Sequence, residues 1–171
     1  DDIMRMFETE FDALARRPEL DLYPEHRRAE IDELNALIYE TVNDGVYKAG
    51  FAASQAAYAD AAYRVFDTLD ELDARLANTR YLFGPAPLET DWRLFVTLLR
   101  FDPVYVGHFK CNLRRIIDYP NLAGYLRDLY QIEGIGATVD FDHIKRHYYM
   151  THDEINPTRI VPIGPLQDLT A

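Results

Sequence analysis

Residues 92–99, WRLFVTLL, constrain the fold of this chain more than any other stretch. Apart from Arg93 and Thr97, every residue in it is apolar, so a helix here has no polar face. A helix of that kind is buried on every side. We therefore expect it to run through the middle of one domain, with other helices packed around it.

This central helix meets a proline at Asp102-Pro103. Proline has no N–H to donate, and it disfavours helical geometry in the residue before it. The helix must therefore end, kink or restart at this point. Segment 105–111 follows at once with tyrosine, histidine, lysine and cysteine side chains, so the break is a good place for a site.

Composition excludes several classes of protein. With 171 residues, 48% of them hydrophobic, the chain suits one globular domain over residues 1–171. The formal charge is −11, from 18 Lys and Arg against 29 Asp and Glu, which disfavours nucleic acids and anionic membranes as partners. No apolar run is long enough to cross a bilayer. A single cysteine excludes an internal disulfide and fits a reducing compartment, so we predict a cytoplasmic protein.

The spacing of apolar residues predicts further helices around the central one. These are residues 1–17, 25–42, 54–77, 108–117, 120–131 and 140–150. Asp1 or Asp2 is suited to cap the first, and Asn43-Asp44-Gly45 to stop the second in the left-handed conformation. Pro120 is expected in the first turn of its helix, and residues 156–171, with three prolines, as an ordered coil tail. No strand pattern is found, so the predicted fold class is all-α.

Three tyrosines stand at predicted chain breaks. Tyr47 follows a helix stop, Tyr105 follows the proline break, and Tyr148 lies near the end of the last helix. A phenol donates and accepts hydrogen bonds and offers a ring for stacking, so a shared pocket would suit an aromatic ligand that carries oxygen atoms. The alternative is that all three are ordinary core residues, like most of the other tyrosines.

His143 and His147 are four residues apart and share a helix face, as two metal ligands would, with His152 nearby. Lys145 and Arg146 lie between them and disfavour a dication. A surface or supporting role therefore ranks above metal binding, and we expect no metal site.

Cys111 is the only cysteine of the chain. Its neighbours Lys110 and Arg114 would lower the pKa of an accessible thiol, whereas a lone cysteine is more often a small buried hydrophobe. No CxxC pair, glycine-rich phosphate loop or GxSxG motif occurs. The chain therefore shows no complete catalytic apparatus, and no catalytic residue is predicted in it.

Several motifs taken together resemble one family. They are DIMRMF, NDGVYKAGFA, YLFG followed by TDWRLF, RFDPVYVGHFKCN, YPNL and HIKRHYYMTHDEINP. They are similar, over nearly all of the chain, to the C-terminal helical domain of the glutathionyl-hydroquinone reductases, the Xi class of glutathione transferases, which is related to the Omega class. The resemblance implies a helical bundle of the glutathione transferase C-terminal type around the buried central helix.

The resemblance also implies a missing partner domain. In the family, a thioredoxin-like N-terminal domain carries a nucleophilic cysteine and most of the glutathione site, and Cys111 does not correspond to that nucleophile. The chain also lacks an initiator methionine. We therefore expect a fragment or processed product that is inactive alone.

The implied reaction is thiol transfer. The family cysteine attacks the sulfur of a glutathionyl-hydroquinone, and a second glutathione resolves the mixed disulfide. The hydroquinone-site tyrosines of the family fall on Tyr47, Tyr105 and Tyr148. Glutathione or another low-molecular-weight thiol is the implied co-substrate, and a homodimer through this helical half is the implied assembly. The alternative is a non-catalytic helical module for binding or assembly.

One position departs from the family pattern. Glutathione transferases usually begin the central helix with a Ser/Thr-x-x-Asp capping box. Leu88 occupies the capping position here, so only Asp91 keeps its half, and Thr90 is the expected substitute cap.

Overall fold

The computed structural model describes residues 2–15 and 17–170, which form seven α-helices joined by turns and loops and contain no strand. The helices are α1 (Asp2–Thr9), α2 (Arg28–Ile38), α3 (Gly45–Gly50), α4 (Gln55–Leu76), α5 (Glu89–Arg100), α6 (Leu122–Gln131) and α7 (Phe141–Thr151). The all-α prediction is confirmed. In this part of the chain no helix is long and apolar enough to span a membrane.

Helix α5 is the centre of the bundle and packs against α2 and α6. Its residues Leu94 and Leu98 are fully buried. The expectation of burial on every side is nevertheless wrong, because Val96 is 47% exposed and Trp92 is only half-buried. No element of the described chain covers that flank, which instead forms the wall of a groove.

The N-terminus of α5 is fixed by one buried carboxylate. Asp91 accepts hydrogen bonds from the N–H of Leu88 at 2.8 Å, the N–H of Leu82 at 3.0 Å and the hydroxyl of Tyr125 at 2.8 Å. Asp91 therefore keeps its half of the capping box. The expectation that Thr90 caps the helix is wrong, because Thr90 lies inside α5 and its buried hydroxyl has no hydrogen-bond partner in the described residues.

An ion pair attaches α1 to the start of α5. Arg5 Nε lies 2.9 Å from Oε2 of Glu89, which is 3% exposed and also accepts hydrogen bonds from Arg93 and Asn35. Burial alone would raise the pKa of Glu89, but the two arginines lower it, so the carboxylate stays ionised.

The helix predicted over residues 1–17 is shorter than expected. It ends at Thr9, a 3₁₀ turn follows at Asp12–Leu14, and most of its apolar face is exposed. The predicted cap cannot be placed, because Asp1 and the side chain of Asp2 lie outside the described residues.

The helical run that begins with α2 ends at Asn43, as predicted, but the left-handed geometry predicted for residues 43–45 is wrong. Asp44 keeps right-handed helical geometry after a π-helical turn at Tyr39–Asn43, and Gly45 begins α3. Gly45 lies so close to α4 that a Cβ at this position would be 3.1 Å from Cγ2 of Val65. The glycine therefore serves close packing of two helices, and no left-handed cap is formed.

The break after α5 occurs as predicted, in a π-helical turn at Phe101–Tyr105. The helix predicted over residues 108–117 does not form. Lys110 is in the left-handed region with φ 61°, and the Asp102 carboxylate accepts the N–H of Ile116 at 2.6 Å and of Ile117 at 3.3 Å. This side chain replaces the helical partners of those N–H groups, so only a 3₁₀ turn remains.

Helix α6 begins later than predicted, and Pro120 lies before it instead of in its first turn. Asp73 of α4 supplies the cap: its Oδ1 accepts the N–H of Asn121 at 2.9 Å and of Leu122 at 2.8 Å. The capping carboxylate thus comes from another helix.

Helix α7 is capped by Asp140, which accepts the N–H of His143 at 2.9 Å. The tail that follows lies against the bundle without helix. Lys145 Nζ donates to the carbonyls of Pro162 at 3.0 Å and Ile163 at 2.9 Å. These contacts tie the tail to α7.

Candidate functional site

The structure brings the three predicted tyrosines together. The Tyr148 hydroxyl lies 2.6 Å from the hydroxyl of Tyr47 and 2.9 Å from that of Tyr105. Tyr47 comes from α3, Tyr105 ends the π-helical turn after α5, and Tyr148 comes from α7. Three chain segments that are distant in sequence therefore meet at their polar side chains.

Phe109 forms the floor beneath these phenols. Its ring stacks on Tyr105 with 5.3 Å between centroids and 10° between planes, and it lies 5.0 Å from the ring of Tyr47. Gly50 also packs directly against the Phe109 ring. Because Phe109 is fully buried, the tyrosine rings are held from below by a rigid core.

A groove of about 530 Å³ opens beside the tyrosines. Its lining residues are Met4, Tyr39, Asn43, Tyr47, Trp92, Arg93, Val96, Thr97, Arg100, Tyr105 and Tyr148. Tyr105 and Tyr148 are only 2% and 5% exposed, whereas Tyr47 is half-buried at the edge. The volume and the mixture of aromatic and polar walls suit a small aromatic ligand.

Two of the phenols, Tyr47 and Tyr105, are held in their protonated form. Burial raises the pKa of Tyr47 to about 12, and burial together with the neighbouring phenols raises that of Tyr105 further. Three hydroxyl groups bring three protons, and the two bonds among them use two. One O–H therefore remains to donate to a ligand oxygen, and Tyr47 is the member best exposed to the groove.

A histidine pair lies beside the tyrosines. His108 Nε2 is 3.1 Å from Nδ1 of His152, and the rings stack 5.2 Å apart. Burial lowers the pKa of His108 to about 4, with smaller electrostatic effects of His152 and Lys110, and burial also lowers the pKa of His152. Both imidazoles are therefore neutral at pH 7, and the pair joins α7 to the turn after α5.

His143 and His147 are not part of this pair. They lie on an exposed part of α7 and line a smaller cavity of about 320 Å³ with Arg100 and Tyr148. Within residues 2–15 and 17–170, no three or more His, Cys, Asp and Glu side chains are grouped so as to hold a metal ion.

Cys111 lies in the core and is fully buried. Burial raises the pKa of its thiol to about 12, and the opposing effect of Lys110 is smaller. A thiol in this state is a poor nucleophile, so Cys111 behaves as a small hydrophobe.

Sequence analysis missed the groove residues contributed by α5. Trp92 and Val96 were predicted to be in the core, and Arg100 was not considered. Arg100 is the last residue of α5 before the predicted break, so its position beside Tyr105 was the available signal.

Comparison with known proteins identifies related domains. The glutathione S-transferase C-terminal domain family matches residues 55–128. The glutathionyl-hydroquinone reductase YqjG of Escherichia coli (strain K12) is 56% identical over 168 residues, which cover 98% of this chain and 51% of that protein.

Solved structures of related proteins also superpose closely on this chain. The glutathione-bound structure of YqjG from Escherichia coli K-12 superposes with a TM-score of 0.94 at 57% identity, over 98% of this chain and 54% of that one. A Xi-class glutathione transferase from Natrialba magadii gives a TM-score of 0.95 at 50% identity, over 99% and 51% of the two chains. The chain thus spans about half the length of the relatives it matches.

Proposed function

Because this chain belongs to the glutathione transferase family, as a C-terminal helical domain of the Xi class, we propose that it is the hydroquinone-binding half of a glutathione-dependent reductase. The full protein removes glutathione from glutathionyl-hydroquinones. The observation that carries this proposal is the meeting of the Tyr47, Tyr105 and Tyr148 hydroxyls beside a groove of aromatic size.

The reaction divides between two domains. A cysteine of a thioredoxin-like domain attacks the sulfur of the conjugate, so a disulfide forms to glutathione and the carbon–sulfur bond to the ring breaks. The electron pair of that bond goes to the ring carbon, which takes up a proton to give the hydroquinone. A second glutathione, or another low-molecular-weight thiol, then reduces the mixed disulfide.

The tyrosines act on the leaving ring. As the carbon–sulfur bond breaks, negative charge spreads from the ring carbon onto the ring oxygens. A hydroxyl that donates to such an oxygen stabilises this charge, more strongly in the transition state than in the bound substrate. Because the pKa values of Tyr47 and Tyr105 are raised, these two phenols stay protonated, and the three hydroxyls together keep one O–H to donate to a ring oxygen.

The proposal includes three further expectations: a thioredoxin-like domain joined to this one, a homodimer formed through this half, and a cytoplasmic location. Apolar side chains such as Ile3, Phe7 and Ile117 are exposed, which supports their burial against another domain or a second copy. Sedimentation of the full-length protein at micromolar concentration tests the dimer, and a monomer there would contradict it.

The decisive experiment compares the 171-residue chain with the full-length protein read from its gene. The full-length protein should release free hydroquinone from a glutathionyl-hydroquinone, and the 171-residue chain should be no faster than buffer because its only cysteine is buried and unreactive. Turnover by the chain alone, or none by the full-length protein, would show the proposal to be wrong. A gene without a cysteine-bearing thioredoxin-like segment would instead favour the non-catalytic module.

A further inference from the structure

The groove at the tyrosines differs in charge from the rest of the protein. The whole chain carries a formal charge of −11, with 29 Asp and Glu residues. No Asp or Glu whose side chain the structure describes lines the groove or the smaller cavity that shares Arg100 and Tyr148 with it. The charged and imidazole side chains on these walls are Arg93, Arg100, His143 and His147. Arg93 is paired with Glu89, so Arg100 and the two histidines remain as the basic groups that the described residues place on these walls.

Arg100 is the basic residue that both cavities share. It is half-buried and donates one hydrogen bond, from Nη1 to the Val96 carbonyl at 2.6 Å, and it forms no ion pair with a carboxylate of the described residues. By contrast, Arg146 on α7 is paired with Asp142 at 2.7 Å. A guanidinium has five N–H donors in a planar fork, so Arg100 keeps most of its donor capacity for a ligand.

Arg100 lies within electrostatic range of the phenols. Burial raises the pKa of Tyr47, and the positive charge of Arg100 acts in the opposite direction. His143 and His147, one turn apart on α7, line the smaller cavity together with Arg100. An imidazole donates a hydrogen bond when neutral and adds positive charge when protonated, so both side chains reinforce an anion site.

We propose that Arg100, supported by His143 and His147, binds a carboxylate carried on the aromatic ring of the ligand. The inference rests on the proposed function, because it assumes that the tyrosines hold a ring with two hydroxyl groups. It narrows the substrate class to glutathionyl-hydroquinones with an acidic substituent. Arginine suits a carboxylate because the two planar groups pair through parallel hydrogen bonds.

Glutathione also carries carboxylates, so the source of the anion must be distinguished. Arg100 lines the same groove as Tyr47, Tyr105 and Tyr148, which favours a group attached to the ring that these phenols hold. The test therefore uses two conjugates that differ only in the ring: glutathionyl-hydroquinone and glutathionyl-2,5-dihydroxybenzoate.

The first measurement is turnover by the full-length protein. Arg100→Gln should lower kcat/KM for the carboxylated conjugate by about tenfold or more, through KM, and change that for the neutral conjugate by less than about threefold. Arg100→Lys keeps the charge without the fork and should give an intermediate loss. Arg146→Gln removes a charge from α7 outside both cavities, so it should leave both conjugates unchanged.

The second measurement is binding of the free rings, without glutathione, by calorimetry on the same proteins. The wild type should bind 2,5-dihydroxybenzoate several-fold more tightly than hydroquinone, and Arg100→Gln should abolish that preference. Replacing His143 and His147 together by Gln should reduce the preference without abolishing it.

Three results overturn the subsite. In the first, both Arg100 variants lose kcat/KM equally for the two conjugates, which assigns Arg100 to glutathione binding or to the fold. In the second, Arg146→Gln loses as much kcat/KM for the carboxylated conjugate as Arg100→Gln does. In the third, the wild type binds the two free rings with equal affinity. If the wild type turns over neither conjugate but still binds 2,5-dihydroxybenzoate more tightly than hydroquinone through Arg100, the carboxylate subsite stands and the proposed reductase function is wrong. If the wild type turns over both conjugates with equal kcat/KM, the reductase function stands and the carboxylate subsite is wrong.

Discussion

Gly50 packs so closely against the ring of Phe109 that a methyl group added to Gly50 would overlap that ring. Phe109 is fully buried and stacks on both Tyr105 and His152, so a shift of its ring disturbs other packed side chains. We predict that Gly50→Ala destabilises the fold by about 1–3 kcal/mol through overpacking. It should also lower turnover by the full-length protein, because Phe109 contacts the rings of Tyr47 and Tyr105 and a shift of Phe109 would displace them. Urea unfolding and turnover of a glutathionyl-hydroquinone measure the two effects.

Gly124 provides the matched control. It lies within α6, and a Cβ added there would meet no atom within 4 Å. Gly124→Ala should therefore stabilise the protein by about 0.5–1 kcal/mol, since alanine restricts the unfolded chain and favours helix. The packing argument fails if Gly50→Ala is as stable as Gly124→Ala.

The tyrosine hydroxyls should matter for rate more than for folding. Replacing Tyr47, Tyr105 or Tyr148 by Phe removes a hydrogen bond and keeps the ring. If that bond strengthens in the transition state, turnover by the full-length protein should fall by an amount corresponding to about 1–3 kcal/mol, seen mainly in kcat. Tyr148→Phe should cause the largest loss, because its hydroxyl contacts both of the others.

Tyr63→Phe is the control for this series, because Tyr63 lies on α4 and is 60% exposed. It should leave kcat and stability unchanged. If the three groove variants lose stability but keep the wild-type kcat, the phenols are structural and do not serve the reaction.

Acid should weaken the contact between His108 and His152. The pKa of His108 falls from 6.5 in the unfolded chain to about 4 in the folded protein. Between these values the unfolded chain binds the additional proton, so stability falls as the pH falls. From pH 7 to pH 5 this amounts to about 2 kcal/mol. The lowered pKa of His152 acts in the same direction.

The variant His108→Gln isolates this effect, because glutamine does not titrate. Urea unfolding at pH 7 and pH 5 should show a smaller loss of stability in the variant than in the wild type. Equal losses in the two proteins would mean that His108 is protonated in the folded state as readily as in the unfolded one.

Asp73 should be far more important to the fold than its acidic neighbours. Its carboxylate accepts the N–H groups of Asn121 and Leu122 and the side-chain amide of Asn121. Asp73→Ala leaves these donors without their acceptor and should cost about 2–3 kcal/mol in urea unfolding. Asp70→Ala, which removes an exposed ion pair with Arg114, should cost less than about 1 kcal/mol. Similar losses for both would contradict the capping role.

Local sequence patterns correctly predicted the features that depend on neighbouring residues, such as helix positions and the break at the proline. The spacing of apolar residues located α2, α4, α5 and α7, and Pro103 located the break after α5. The idea that tyrosines at chain breaks meet in space was also correct in its geometry, because α3, the turn after α5 and α7 end in the same region. Their role in substrate binding stays a prediction.

The errors arose where a distant side chain decided the backbone. Residues 108–117 have helical spacing, but Asp102 takes the N–H groups of Ile116 and Ile117 from far along the chain. Similarly, Asp73 sets the start of α6 from α4. The exposure of Val96 has a different cause, since an apolar residue that lines a ligand groove has the same pattern as one in the core.

The ion pair between Arg5 and Glu89 determines how short this domain can be made. A protein trimmed to begin at Pro24 would retain every helix from α2 to α7, and it would look complete by its apolar core. It would also lose the guanidinium that neutralises a carboxylate at the start of the central helix, leaving Arg93 as its only cation among the partners described. The eight-residue helix α1 is therefore an integral part of the domain. The N-terminal boundary of the domain is determined by the positive charge of Arg5, and the apolar core alone would not reveal it.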